Sequence, residues 1–324
     1  MIRPIAIIAG EPNSISSEII FKAWKLRQKY KLKKFILIGS IKLLQSQKKT
    51  LKFSLPLQEI SSNFKARDLE KSRLFVINVD YYQKKSFEKI SKKSNKYIFN
   101  CFKLAANLIK QKKISSIINC PVSKETLFKG KNIGITEYLG KKFGNKDNEV
   151  MLIYNKNLSV SPLTTHIPIK NISKKIKKKD IINKLKIISN FYKRRLNKLP
   201  KIAVLALNPH SHSNSKFSEE KKIIFPAIKE LKKLNINVIG PISPDTSFMN
   251  YKKNKIDVIF GMYHDQVLTG LKALYDFDAI NITLGLPFIR ISPDHGTAFN
   301  IVGKKTANPK SLISSIRFLS KLNT

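Results

Sequence analysis

The chain has 324 residues, a length at which a single hydrophobic core usually gives way to two domains. Hydrophobic residues make up 42% of the chain and aromatic residues 9%, which excludes an intrinsically disordered protein. The formal net charge of +41 points toward a nucleic-acid partner, but only eight of the 62 basic residues are arginines and the lysines are spread along the chain. We therefore expect no nucleic-acid function, and keep a basic nucleic-acid-associated protein as the alternative from another class.

The cysteines and the amino terminus predict a cytoplasmic location. Cys101 and Cys120 form no CxxC pair and cannot stabilise a chain of this length, which indicates a reducing compartment. The first apolar run meets Glu11 and Pro12 too early for a secretory signal. Apolar segments stay shorter than the roughly 20 residues that a membrane span requires, so we expect no membrane partner.

Short β-branched runs alternate with longer helical patterns, which is typical of βαβ units around a mainly parallel sheet. The predicted strands are residues 5–9, 35–39, 74–79, 114–120, 150–154, 202–207, 238–240, 256–262 and 279–284. Apolar residues at helical spacing predict helices at 14–30 and 218–234. The stretch 121–209 lacks clear helix alternation and predicts a smaller sheet or a dimer arm. The fold class is α/β, with two α/β/α domains, 1–120 plus 285–324 and 121–284, and a cleft between them.

Polar motifs follow the carboxyl ends of five predicted strands, where open α/β sheets bind their ligands. They read GEPNSISSE from Gly10, TTHIP from Thr164, LNPH from Leu207, MYHDQ from Met262 and TLGLPFIRISPDHGTAFNIVGK from Thr283. His166, His210 and His264 each lie in one of these motifs and could converge on one divalent cation. The alternative is that each is a structural, hydrogen-bonded histidine.

Carboxylates and isolated cations add further candidates. Asp245 and Asp265 could orient a ligating imidazole or accept a proton, and equally could cap the helices that follow them. Lys272 and Arg290 are cationic residues within predominantly apolar sequence segments. This position favours binding of an anionic ligand such as a phosphate, with Asn281 hydrogen-bonding between them. The alternative is that their apolar stems lie along the protein and their charges reach solvent. Neither GxGxxG nor GxxxxGK[ST] occurs, so no common nucleotide fingerprint is present.

The ordered motifs resemble those of the 4-hydroxythreonine-4-phosphate dehydrogenase family over nearly the whole chain. GEPNSISSE resembles the family's GEPAGIGPE, PVSKE at 121–125 its PISKE, and GITEY at 134–138 its GHTEF. TTHIP, LNPH, GPISPDTSF, MYHDQ and TLGLPFIRISPDHGTAFN then follow in family order. The segment from His295 also resembles the HGSAPDIAGK region of isopropylmalate and isocitrate dehydrogenases, where that loop contacts the adenosine half of the cofactor.

The resemblance implies an isopropylmalate-dehydrogenase-like fold and NAD- or NADP-dependent oxidation and decarboxylation of 4-phosphooxy-L-threonine in vitamin B6 biosynthesis. It implies a homodimer with its active site at the subunit interface, the first domain on the cofactor side, and the second domain with the metal site and dimer interface. One cation (Zn, Mg or Co) is held by three histidines, and the catalytic candidates are two carboxylates and a lysine. The implied residues are His166, His210 and His264 for metal, Thr136, Lys272, Asn281 and Arg290 for substrate, Asp245, Asp265 and Lys272 for catalysis, and His295, Gly296, Thr297 and Ala298 for cofactor.

Several positions depart from the family pattern. Ile135 stands where the family has a substrate-contacting histidine, and isoleucine cannot hydrogen-bond. This departure motivates a paralogous dehydrogenase of another phosphorylated hydroxy acid, such as threonate 4-phosphate, as the alternative function. A catalytically silent relative is a further alternative. The remaining departures are Ser14, Ser16 and Ser17 in place of glycines and proline, Asn300 in place of aspartate, and His212 with Ser213 inside the family's PHAGE.

Overall fold

A computed structural model describes residues 3–70, 72–128, 134–143, 148–212, 218–276 and 278–322, except for the side chains of Ala66 and His212. The chain forms two compact units, Met1–Lys131 with Phe288–Thr324, and Asn132–Pro287. The sequence division places the corresponding boundaries at 120/121 and 284/285. No helix within the described residues is long and apolar enough to cross a membrane.

The described strands and helices are as follows. The strands are β1 Ile5–Ile8, β2 Phe35–Gly39, β3 Leu57–Glu59, β4 Leu74–Asn78, β5 Ser116–Asn119, β6 Val150–Tyr154, β7 Ser159–Thr164, β8 Ile202–Leu205, β9 Val238–Ile242, β10 Val258–Tyr263, β11 Ile280–Leu284 and β12 Ile289–Pro293. The helices are α1 Ser16–Lys25, α2 Ile41–Thr50, α3 Asn95–Lys110, α4 Lys124–Phe128, α5 Ile135–Phe143, α6 Ile172–Lys175, α7 Lys178–Leu196, α8 Phe225–Lys233, α9 Pro244–Ser247, α10 His264–Tyr275 and α11 Lys310–Leu322.

The strands of the first unit lie in the order β3-β4-β2-β1-β5-β12, and every neighbouring pair is parallel. All four residues of β1 and all five of β2 are buried. Because successive side chains of a strand point to opposite faces, both faces of this sheet are covered. The parallel arrangement brings the carboxyl ends of β1 and β5 to one edge and their amino ends to the other.

The second unit is a mixed sheet in the order β11-β6-β7-β10-β8-β9. Strand β6 runs antiparallel to both β11 and β7, whereas the pairs β7/β10, β10/β8 and β8/β9 are parallel. A hydrophobic cluster, which includes Val160, Ala203, Ile259, Val267 and Leu271, joins β7, β8, β10 and α10. The packing of α10 onto this cluster fixes its first residue, His264, at the carboxyl end of β10.

The predicted α/β class and mainly parallel sheet are confirmed, and the predicted strands lie within a few residues of observed ones. Three strands escaped prediction because β3 is short and polar while β7 and β12 contain Pro162 and Pro293, which weaken a strand pattern. The expectation of no clear helix in 121–209 was wrong. Helix α7 spans 19 residues there, and its flanking lysines mask a buried stripe that includes Ile181, Leu185 and Ile188.

Candidate functional site

The turn after β1 is closed by serine hydroxyls. Ser14 Oγ donates to the Glu11 carbonyl at 2.7 Å, and Ser16 N donates to Ser14 Oγ at 3.1 Å. Gly10 has φ of +77°, and a Cβ there would lie 2.5 Å from the Pro121 carbonyl oxygen. None of residues 11–17, all of which are described, adopts a positive φ. The serines that replace the family's glycines and proline therefore build this turn without left-handed backbone.

Glu11 is buried in the same turn, where its carboxylate accepts hydrogen bonds from Asn13 N at 3.3 Å and Ser94 Oγ at 3.0 Å. Burial raises the pKa of Glu11 above its ordinary value, and these two hydrogen bonds only partly offset that effect. The carboxyl group therefore contributes stability that is fully present below its unfolded pKa and is lost as the pH rises through its folded pKa.

Replacement of this carboxyl by an amide should make stability less dependent on pH. We expect Glu11→Gln to gain melting temperature relative to the parent chain as the pH is raised from about 4 to 7, because the amide has no charge to bury. Glu59→Gln, a matched change at an exposed residue of β3, should show no such trend. If the difference in melting temperature between Glu11→Gln and the parent chain were the same at every pH, as expected for Glu59→Gln, the raised pKa of Glu11 would be contradicted.

His166 follows β7 and is held by a partly buried carboxylate. Its Nδ1 lies 3.2 Å from Glu137 Oε1, which also accepts from the Thr165 hydroxyl. Burial favours protonation of Glu137, but the hydrogen bonds from His166 and Thr165 and the charge of His166 outweigh it and hold the pKa at about 2. Glu137 is thus ionised at neutral pH and can orient the imidazole through Nδ1.

The close approach of His166 and Glu137 also explains why residue 134 is a glycine. A Cβ at residue 134 would lie 2.7 Å from His166 Cε1 and 2.4 Å from Glu137 Oε2. His166 itself has φ of +51°, a left-handed conformation that non-glycine residues rarely adopt. Strain of this kind is often found at functional sites, where the surrounding structure holds the residue in place.

His264 is the first residue of α10, and its ring faces that of His166. The ring centroids are 6.0 Å apart at an interplanar angle of 38°. Asp265 Oδ1 lies 2.9 Å from His264 Nδ1, and Tyr263, not Asp265, is the residue that precedes the helix as its N-cap. Each of the two imidazoles therefore has a carboxylate at Nδ1, the arrangement that commonly supports histidine ligands of metals.

His210 lies on an exposed loop after β8. Glu220 Oε1 anchors that loop by accepting from Leu207 N and Asn208 N, each at 2.9 Å. His210 and Ser211 both have left-handed backbone, at φ of 51° and 58°. Ser211 Oγ donates to the Pro241 carbonyl at 3.5 Å, which places the loop beside β9.

The histidine pair fits a divalent cation in its chemistry. Zinc–nitrogen bonds of about 2.0–2.1 Å place a ligating ring centroid roughly 3 Å from the ion, so two rings on one ion lie roughly 5–6 Å apart. The separation of His166 and His264 matches this. Within the described residues, however, no group of three or more His, Cys, Asp or Glu side chains gathers around one point. The structure thus brings two of the three predicted ligands, His166 and His264, close together.

Asp245 is exposed near the start of α9, where its Oδ1 accepts from Thr246 N at 2.8 Å. Ser243, not Asp245, is the N-cap residue of that helix. Lys272 is exposed on α10, eight residues and about 12 Å along the helix from His264. The catalytic roles predicted for Asp245 and Lys272 therefore belong to the proposal below.

Thr136 and Asn281 lie on one side of β11. Thr136 Oγ1 is 3.2 Å from Thr283 Oγ1, and both threonines are buried. Asn281 precedes Thr283 by two residues and therefore points to the same face of the strand. Its buried Oδ1 has no hydrogen-bond partner among the described residues. Since buried polar atoms are normally paired, this side chain is a good candidate to bind a ligand.

Arg290 lies in the first unit, on β12, and is only 3% exposed. Its Nε donates to Asn119 Oδ1 at 2.5 Å, and Asn119 is the last residue of β5. This hydrogen bond fixes the plane of the guanidinium group at the carboxyl end of the parallel strands. The burial of Arg290 rules out the alternative that its charge reaches solvent.

The segment His295–Ala298 lies beside the turn after β1, since Ile15 N donates to the Thr297 carbonyl at 3.2 Å. His295 Nδ1 is 3.1 Å from the Gly296 carbonyl oxygen, which requires that Nδ1 carries the proton. Nε2 is then an acceptor, and it is buried with no hydrogen-bond partner among the described residues. Burial lowers the pKa of His295, so the ring is neutral at physiological pH. Open space adjoins Gly296.

Sequence reasoning missed four side chains that support these candidates, although each lies close to a quoted motif. They are Asn119, Glu137, Thr165 and Thr283. Glu137 lies in GITEY and Thr165 in TTHIP, so their motif membership was the available signal. Which residue each would contact could not be read from spacing, because the partners are 28 to 171 residues away.

The fold and the strand-end residues define an α/β protein of the dehydrogenase type, with paired imidazoles in one unit and a buried arginine in the other. The model of the family described as "Pyridoxal phosphate biosynthetic protein PdxA" matches residues 31–319. The chain belongs to this family. This confirms the family that the motifs predicted.

Individual relatives and solved structures agree with this family membership. The chain is 39% identical over 316 residues to the 4-hydroxythreonine-4-phosphate dehydrogenase of Sulfurihydrogenibium sp., covering 96% of each chain. It is 31% identical over 317 residues to a protein of Oceanobacillus iheyensis provisionally named D-threonate 4-phosphate dehydrogenase, covering 96% of this chain and 95% of that one. The crystal structure of 4-hydroxythreonine-4-phosphate dehydrogenase from Klebsiella pneumoniae superposes with a TM-score of 0.82 at 27% identity, covering 99% and 100% of the two chains.

Proposed function

We propose that this chain is the dehydrogenase that oxidises 4-phosphooxy-L-threonine and yields 3-amino-2-oxopropyl phosphate in pyridoxal 5'-phosphate biosynthesis. The observation that carries the proposal is the paired, carboxylate-backed imidazoles of His166 and His264 in a chain of this family. The C3 hydroxyl loses its proton to a base and its carbon loses a hydride to NAD or NADP. The resulting 2-amino-3-oxo acid then loses carbon dioxide.

His166 and His264 would hold one divalent cation, with His210 as the third ligand. The cation would polarise the hydroxyl oxygen and stabilise the negative charge that develops during decarboxylation. Imidazole donors favour zinc or cobalt over magnesium, which prefers oxygen ligands. Glu137 and Asp265 keep the rings oriented, and Asp265 can also accept a proton near that oxygen.

The remaining candidates hold the organic ligands. Arg290, Thr136 and Asn281 would bind the phosphate and polar groups of the substrate, and Lys272 would supply a further cation or proton donor. His295, Gly296, Thr297 and Ala298 would contact the adenosine half of the cofactor. The buried acceptor His295 Nε2 suits a donor such as an amino or hydroxyl group of that half. A bound nicotinamide supplies the hydride acceptor.

We further propose a cytoplasmic homodimer with the active site at the subunit interface, the first unit on the cofactor side and the second on the metal side. Among the described residues of one chain no three candidate ligands gather around one point, which supports this, because an interface site can draw its ligands from two subunits. Exposure of Lys272 agrees with the same arrangement. The two cysteines are free and buried, as expected in a reducing compartment.

The proposed reaction can be tested by following NADH formation at 340 nm. Purified protein, 4-phosphooxy-L-threonine and NAD should give turnover that a chelator abolishes and that added zinc or cobalt restores. His210→Ala should lose most of that turnover while keeping the circular dichroism of the parent chain. Turnover that is insensitive to the chelator would rule out the metal role, and no turnover from folded, metal-loaded protein would rule out the substrate.

A second candidate substrate, threonate 4-phosphate, is favoured by Ile135. This side chain is buried at the first position of α5, next to Thr136, where the family pattern has a hydrogen-bonding histidine. We expect Ile135→His to shift the ratio of kcat/KM values toward the 4-phosphooxy-L-threonine substrate by about tenfold, since one hydrogen bond to a charged or polar group is worth roughly 1–2 kcal/mol. An unchanged ratio would remove residue 135 as the determinant of specificity.

A further inference from the structure

A large cationic cavity lies in the first unit, at the end of the sheet opposite to the candidate site. It has a volume of about 660 Å³, which is within the range of small-molecule pockets. Its floor includes Ile5 and Phe35, the first residues of β1 and β2, so it opens at the amino ends of the parallel strands. The turn after β1 and Asn119 of β5 lie at the carboxyl ends. None of the proposed catalytic, metal, substrate or cofactor residues is among those that line the cavity.

The charge of the cavity is not explained by the general lysine excess of the chain. Of its 16 lining residues, seven are basic and only Glu70 is acidic. Half of the eight arginines in the chain line it, whereas only three of the other 54 basic residues do. The arginines are Arg3, Arg27, Arg67 and Arg73. A compositional bias toward lysine would not concentrate arginine here, and the guanidinium fork is the group best suited to phosphate oxygens.

Lys33 provides a second, independent observation. Lys33 is one of the lining residues, and its Nζ is buried with no hydrogen-bond partner among the described residues. An ammonium group removed from water without a partner is costly, so a bound anion would offset this cost. Lys34, in contrast, is satisfied by the Leu69 carbonyl oxygen, and Arg73 by Gln58 at 2.9 Å and Glu70 at 3.5 Å.

An apolar and aromatic wall completes the cavity. Trp24 is 5% exposed, its ring packs edge-on against Phe35 with centroids 5.7 Å apart, and the Arg27 guanidinium lies 4.0 Å from the Trp24 ring centroid. This wall stiffens one arginine by stacking and leaves a partly apolar surface beside the cations. A rigid cationic pocket with an apolar floor suits a small ligand better than an extended polymer, which needs an open track.

We propose that this cavity is a second binding site, which takes a small, multiply charged phosphate compound. The site is separate from the dehydrogenase reaction, so it can be tested in the absence of substrate and nicotinamide. Trp24 is the only tryptophan of the chain and lies in the cavity wall, so its fluorescence reports binding directly.

The test is a titration of the intact protein with inorganic tripolyphosphate at constant ionic strength, followed by Trp24 fluorescence. We expect a saturable change and a higher melting temperature at saturation, because a ligand that binds only the folded state stabilises it. Lys33→Met should weaken binding at least tenfold and abolish the shift in melting temperature. Lys232→Met, the same change at an exposed residue of α8, should leave both unchanged. Arg73→Gln, at a half-exposed residue, provides a second cavity variant if Lys33→Met does not fold.

Three outcomes would overturn the proposal. The first is no saturable change in fluorescence. The second is equal weakening in the cavity variants and in Lys232→Met, or an equal response to sulfate, which would reduce the effect to general attraction by the net charge. The third is displacement of tripolyphosphate by a DNA oligonucleotide at lower concentration, which would assign the surface to nucleic acid instead.

Discussion

Replacement of His264 by alanine should lower metal-dependent turnover by about 10³-fold, because a Lewis-acidic cation contributes several kcal/mol and each 1.36 kcal/mol is a tenfold change in rate. The ring of His264 faces that of His166 at a centroid distance of 6.0 Å, so His166→Ala should have a similar effect. The loss of turnover is measured by steady-state kinetics with 4-phosphooxy-L-threonine and NAD. The metal content of each purified variant is measured alongside.

Graded variants separate the ligands from the carboxylates that orient them. Glu137→Gln and Asp265→Asn keep the imidazoles but weaken their orientation, so we expect only a 10- to 100-fold loss of metal affinity. Thr269→Ala, an exposed change on the same helix as His264, should retain full activity. Equal metal content and equal turnover in His264→Ala and Thr269→Ala would disprove the metal assignment.

Replacement of Arg290 by lysine should reduce kcat/KM by about 10²-fold, mostly through KM. A charge-assisted hydrogen bond is worth about 1.5–3 kcal/mol, and the ammonium group cannot reproduce the fork that Arg290 holds through its Nε bond to Asn119 Oδ1. Arg290→Met removes the charge altogether and should reduce kcat/KM further than Arg290→Lys does. Initial rates across substrate concentrations separate an effect on KM from one on kcat.

The matched control for this change is Arg317→Lys, at an exposed position of α11. Because surface substitutions rarely alter stability or binding, its kinetics should equal those of the parent chain. Melting temperatures of all three variants establish whether a loss in Arg290→Lys arises from unfolding. A folded Arg290→Lys protein with unchanged kcat/KM would remove Arg290 from the substrate site.

The strand-end motifs were readable from sequence because they are local. A β-branched run followed by MYHDQ places a histidine after a strand whatever the rest of the chain does, and His264 follows β10 as predicted. His166 follows β7, which was missed because Pro162 weakens its pattern. The α/β class follows from the same alternation of short apolar runs and helical patterns. Helix α7 was missed because its lysine-rich ends conceal its buried stripe.

Sequence by itself therefore determined the α/β class, the family and the residues that end the strands. Only the tertiary structure decided that His166 faces His264, that Glu137 holds His166, and that half of the arginines gather at the amino ends of the strands of the first unit. The physical reason is that a motif is specified by neighbours in the chain. Whether two side chains meet depends instead on how segments tens of residues apart pack against each other. The spacing of residues in the sequence does not specify the distance between such segments in space.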